Sequence, residues 1–197
     1  IVKRVSTEQT PCDVVLSKDG GRLYCSNWSS NSVSVIDTET LEVVSTIGVG
    51  DNPSDMLLHP DGRLFVCCAN DNTVVVIDTA TGSKIETIVT SLYPNAPEGS
   101  TPNSLALDAE GETLYVANAD NYNICVVEVE EKGESDVLGF VPTGWYPSAV
   151  AVSPDDSKLY IGNAKGNGSY SNVRGPHSPV TEGTEGIGTV KTLMKGS

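Results

Sequence analysis

Helical periodicity is what this sequence most plainly lacks. No stretch of its 197 residues places apolar side chains at three- and four-residue spacing over several turns, which excludes a helical bundle or an alternating α/β fold. Long hydrophobic runs are missing too. None approaches the roughly 18 apolar residues of a membrane-spanning helix, and no charged n-region, apolar h-region and cleavage site opens the chain, where Ile1 reads as mid-strand. Positive charge is scarce: 12 Lys and Arg face 26 Asp and Glu, a formal charge of -14, with no basic patch to track phosphates, so nucleic acid is not an expected partner. The five cysteines are odd in number and lack the paired short spacing of structural zinc, which argues against both a disulfide framework and a zinc site.

What is present is repetition. Leu23-Tyr24-Cys25-Ser26-Asn27 leading to Ser32-Val33-Ser34-Val35-Ile36-Asp37 recurs as Leu64 to Asp78 and as Leu114 to Glu128, and opens again at Leu159-Tyr160-Ile161-Gly162-Asn163. Each copy alternates in apolar character with a period of two, the pattern of a strand with one face on a core. The intervening Asn, Ser, Asp and Gly residues favour turns, and Asp37 to Thr40 and Asp78 to Thr81 read as hairpin stops. Pro11, Pro53, Pro102 and Pro147 mark one point in four copies. Each is followed by an apolar strand and then a turn such as Pro60-Asp61-Gly62. Four strands per unit of roughly 40 to 50 residues is the count for a β-propeller blade, and the fold class is all-β.

Proline, an apolar strand, Ser-Pro-Asp-Gly, Leu-Tyr-Val-x-Asn and Val-x-Val-Ile-Asp-Thr-x-Thr-Gly together resemble the YVTN repeat of surface-layer-type and YncE-like proteins. The likeness covers about residues 1–163 and implies a seven-bladed propeller with a periplasmic or cell-surface location. Seven such blades of about 45 residues need roughly 315, so the chain reads as about half a propeller. Residues 1–10 are then the last strand of a preceding blade, and 11–52, 53–101 and 102–146 are complete blades. Residues 147–163 are the first two strands of a further blade, 164–186 an inserted loop and 187–197 the start of the next strand. Open blade edges would favour self-association. The alternative is a closed four-bladed ring in which residues 1–7 supply the missing strand. The insertion, with Arg174-Gly175-Pro176 and Gly186-Ile187-Gly188, is similar to that of propellers fused to an alkaline-phosphatase-like phosphoesterase domain. That likeness implies a neighbouring catalytic domain or an envelope protein as partner, with Arg174 available to a carboxylate.

Two function classes follow. In the first, the chain is a non-catalytic scaffold whose variable loops present Trp28, Tyr93, Tyr122, Trp145 and Tyr146, together with Arg174 and His177, to a partner. The same aromatics suit packing between blades. In the second, a hydrolase of phosphoesterase-fused or lactonase-like type carries a site near the central channel. There Asp13 and Asp55, with Asn103 and Ser148, are candidates for oxygen ligation of Ca²⁺ or are simply solvated strand ends. No catalytic residue is assigned and no other cofactor is expected. His59 reads as a solvated turn residue. The cysteines occupy small or apolar repeat slots and are expected as buried, unpaired thiols.

Overall fold

The computed structural model describes residues 3–166. Its strands form three four-stranded antiparallel sheets and one two-stranded sheet, each following the chain in order. The first blade holds β1 (Pro11–Leu16), β2 (Arg22–Asn27), β3 (Ser32–Asp37) and β4 (Glu42–Gly48). The second holds β5 (Pro53–Leu58), β6 (Arg63–Cys68), β7 (Thr73–Asp78) and β8 (Ser83–Val89). The third holds β9 (Pro102–Leu107), β10 (Thr113–Asn118), β11 (Asn123–Glu128) and β12 (Asp136–Pro142). Then come β13 (Pro147–Val152) and β14 (Leu159–Asn163). Among the described residues the single helical element is a 3₁₀ turn, Trp28–Ser30.

Turn chemistry fixes the registers. Asp37 Oδ1 accepts from the amides of Glu39 and Thr40 at 3.0 and 2.9 Å, and Asp78 Oδ1 from those of Ala80 and Thr81 at 2.9 and 3.3 Å. Each turn closes through an αL residue, Leu41 at φ 56° in the first and Gly82 at φ 68° in the second. Thr38 and Thr79 then donate their hydroxyls to Gly20 O and Gly62 O, both at 2.6 Å, which ties the two hairpin turns of a blade together on one face.

Burial of alternate residues builds the core between blades. Tyr24, Val33 and Val35 pack with Met56, Leu64, Val66, Cys68, Val75 and Ile77 across the first junction. Phe65, Cys67, Val74, Val76 and Ile88 pack with Leu105, Leu114, Val116, Cys125 and Val127 across the second. Cys67 and Cys68 therefore belong to opposite faces of β6, as the strand period requires, and both are free thiols. Cys68 stands where Asn27 and Asn118 stand in their blades. It lies under Gly50, where an added Cβ would come within 2.9 Å of its Sγ, and burial pushes its thiol up to about 11.

One expectation, on Cys12, is corrected at this end of the chain. Residues 3–10 form no strand, and the preceding blade to which the sequence assigns them is not among the described residues. Lys3 donates to Thr40 O (3.0 Å), and Thr10 O accepts from the Trp28 amide (2.9 Å), so this segment lies against the first blade with no neighbouring strand to pair with among the described residues. It therefore does not complete the last sheet, which has two strands among the described residues. Cys12 is exposed rather than buried, because its counterpart Ser54 is covered by the preceding blade and no blade precedes β1 among the described residues.

The same cause exposes both outer junction faces. Val14 is 59% exposed where its counterparts Met56, Leu105 and Val150 are 5, 7 and 8%. At the other end Tyr160 is 57% exposed where Tyr24 and Phe65 are 4 and 0%. Thiol titration follows from this geometry. In denaturant without reductant all 5 cysteines should react, while in the native chain Cys12 alone should react quickly; fewer than the full count in denaturant would mean that a disulfide is present.

Candidate functional site

The residues singled out from sequence fall into separate places. Asp13 and Asp55 sit two residues after the proline of adjacent inner strands. Asp13 Oδ2 accepts from the Met56 amide of the next blade (3.0 Å), and Asp55 Oδ2 from the Leu105 amide of the blade after that (2.7 Å). Ser104 Oγ takes the same place for the Val150 amide at 3.3 Å. The three side chains thus form a ladder of fasteners between inner strands. Burial pushes the Asp55 carboxyl up to about 6; the Leu105 amide opposes this and the Asp13 charge adds to it. Among the described residues no three His, Cys, Asp or Glu side chains are grouped to hold a metal ion.

His59 is 9% exposed, contrary to its reading as a solvated turn residue. Its Nε2 donates to Gly111 O of the next blade's turn at 2.7 Å, and its Nδ1 lies 2.6 Å from Asp61 Oδ1 and 3.2 Å from the Asp61 amide nitrogen. Beside it Arg63 is 1% exposed. Its Nε donates to Asp61 Oδ2 (2.8 Å), its Nη1 to Glu131 O (3.4 Å), and its guanidinium lies 5.5 Å from the centre of the Phe65 ring. Burial works against ionisation of Asp61, but the Arg63 amide, His59 and the Arg63 charge outweigh it and hold the carboxyl below its ordinary value.

On the opposite face, the loops carry the aromatics. Asn31, Asn72 and Tyr122 occupy one repeat position, all left-handed, with φ of 52, 56 and 54°. Asn72 clamps the incoming loop by accepting from Gly99 and Ser100 amides at 2.9 and 2.7 Å, and Asn31 clamps its own by donating to Asp51 Oδ1 and accepting from the Asn52 amide. Tyr122 has no amide to offer. Its ring stacks on Trp145 instead, with centroids 5.6 Å apart and planes at 12°, and both stay 39% exposed. Tyr146 follows at φ 60°, directly before Pro147, with Lys165 Nζ 4.1 Å from its ring centre.

Trp28 and Tyr93 join no aromatic group among the described residues. Trp28 begins the 3₁₀ turn, and its carbonyl accepts from Asn52 Nδ2 at 3.1 Å. Tyr93 lies exposed on the outer wall between the second and third blades, in an apolar depression of about 480 Å³ with Val89, Leu92, Val137 and Phe140. Arg174 and His177 lie outside the described residues. Sequence reasoning missed this depression, and also an acidic one of about 580 Å³ beside it lined by Glu86, Glu128, Glu130, Glu131, Glu134 and Asp136. The crowding of Glu from 128 to 134 was its one visible signal.

Comparison with known proteins fits the blades. The chain is 29% identical over 169 residues to Antigen Lp49 of Leptospira interrogans, covering 82% of this chain and 32% of that protein. It is 30% identical over 145 residues to the seven-bladed beta-propeller protein Rv1057 of Mycobacterium tuberculosis, covering 74% and 34%. The chain thus spans about a third of the length of these relatives. Among solved structures, a 6-phosphogluconolactonase candidate from Bacteroides uniformis superposes with a TM-score of 0.69 at 18% identity, over 77% of this chain and 46% of that one. A functionally unknown protein from Desulfotomaculum acetoxidans does so with a TM-score of 0.63 at 20% identity, over 79% and 49%. These similarities show a β-propeller fold. A family model described as "Domain of unknown function (DUF5074)" matches residues 10–176, and the chain belongs to that family.

Proposed function

We propose that this chain is the propeller portion of a larger, envelope-associated protein of YVTN type, a non-catalytic scaffold that presents its loop face to a partner domain or envelope protein. One observation carries the reading. The groups a propeller hydrolase would need free (Asp13, Asp55 and the His59 imidazole) each hold a blade junction, whereas Tyr122 and Trp145 stand exposed on the variable loops. Exposed aromatics on a rigid scaffold are the usual anchors of a protein contact. The envelope location and a phosphoesterase-type partner domain rest on the sequence resemblance.

A hydrolase with its site near the channel is the second reading. It is favoured by one feature, the Asp55 carboxyl raised to about 6 beside Asp13 on adjacent inner strands. Turnover assays with sugar-phosphate lactones and phosphate esters separate the two. The scaffold reading expects no turnover by this chain, and cross-links from Lys165 to another domain or protein in the full-length protein. Turnover that disappears in Asp13→Asn or Asp55→Asn overturns it.

A further inference from the structure

We infer that the outer groove between the second and third blades is a docking site for an extended segment of a partner protein that carries aliphatic or aromatic anchors beside Lys or Arg. The groove is separate from the loop-face contact proposed above. Its walls are the outer strands β8 and β12, each paired on one side only among the described residues, so each offers a backbone edge.

The two depressions lie in line along β12. At the loop end, Val89, Leu92, Tyr93 and Val137 are exposed around Phe140. At the turn end, Glu86, Glu130, Glu131 and Asp136 line the acidic depression. From Asp136 to Phe140 the strand rises roughly 13 Å, the length of about four extended residues.

Charge complementarity selects the occupant. Lys132, the cation within the acidic stretch, is engaged by Asp78 Oδ2 at 2.6 Å and does not neutralise the groove. Nearby, the charges of Glu130 and Glu110 push the Glu112 carboxyl above its ordinary value, a repulsion that added positive charge would relieve. Glu86 accepts from the Ser135 amide and hydroxyl at 2.8 and 2.9 Å but meets no cation, and exposed apolar side chains grouped beside such carboxylates fit a basic segment with apolar anchors. They disfavour an acidic or purely polar one.

The groove is bounded by residues from two blades whose mutual packing is complete. It therefore does not depend on the open junction faces at β1 and β14.

Fluorescence anisotropy of a labelled synthetic peptide alternating Lys with Leu and Trp tests the assignment, with a Glu-for-Lys peptide as control. The Lys peptide should bind and the Glu peptide should not. Leu92→Ser with Tyr93→Ser should weaken binding about tenfold, and so should Glu130→Lys with Glu131→Lys. Glu8→Lys with Glu39→Lys, the same charge change on the first blade, should leave binding within about twofold. Equal weakening by the Glu8 and Glu39 changes would show general attraction to an acidic surface and overturn the site. No effect of the Leu92 and Tyr93 changes, or no binding of the Lys peptide, would overturn it as well.

Discussion

Replacing Asp55 with Asn is expected to stabilise the chain above about pH 6 and to change little below about pH 4. The Asp55 carboxyl is raised from an ordinary value of 3.8 to about 6 by burial, and the negative charge of Asp13 adds to the shift. Since the folded-state value lies above the unfolded one, its contribution is fully present below 3.8 and is lost as pH rises through about 6. A shift of this size corresponds to about 3 kcal/mol, and solvent screening at a partly exposed site reduces it to about 1 to 2 kcal/mol. Asn keeps an oxygen to accept the Leu105 amide and never acquires the charge. The other shifted aspartates (Asp19, Asp37, Asp61, Asp78, Asp108 and Asp155) are lowered, so their contributions fall away in acid, below their ordinary value, and do not confuse the window. Urea unfolding of both proteins at several pH values measures the difference directly. A gap that stays constant with pH would show that Asp55 is not the titrating group.

Arg63→Ala should be among the most damaging single changes in the chain, with a loss of about 3 kcal/mol. Arg63 is the bulkiest of the fully buried side chains among the described residues, and its guanidinium joins the Asp61 turn of the second blade to the Glu131 carbonyl of the third while lying beside Phe65. Truncation leaves a void at that junction and removes partners from both oxygens. Arg22, at the same repeat position in the first blade, pairs with Asp37 at the surface and is exposed. Arg22→Ala should therefore cost under about 1 kcal/mol. Chemical denaturation of the two variants gives the comparison, and similar losses would refute the junction role assigned to Arg63.

Local chemistry was enough to give the blades. The alternation in Ser32 to Asp37 and Thr73 to Asp78 sets strands, the Asp-Thr turns stop them, and the recurring prolines open each inner strand at the expected residue. These signals are readable because each acts within a few residues of itself. The aromatics of the loop face were legible as a set, but not that Tyr122 and Trp145 meet while Trp28 and Tyr93 stand apart.

Only the tertiary structure decided what lies across a junction. Arg22 and Arg63 are one residue type at one repeat position, yet the third blade covers Arg63 while the second leaves Arg22 exposed. His59 is buried because its turn meets Gly111, more than fifty residues away. Asp13 and Asp55 look like solvated carboxylates until the next blade's amide is placed against each. The groove between β8 and β12 joins segments separated by nearly fifty residues, so no local pattern records it. In a propeller each residue's repeat position fixes its direction, but its burial and its partner come from the neighbouring blade.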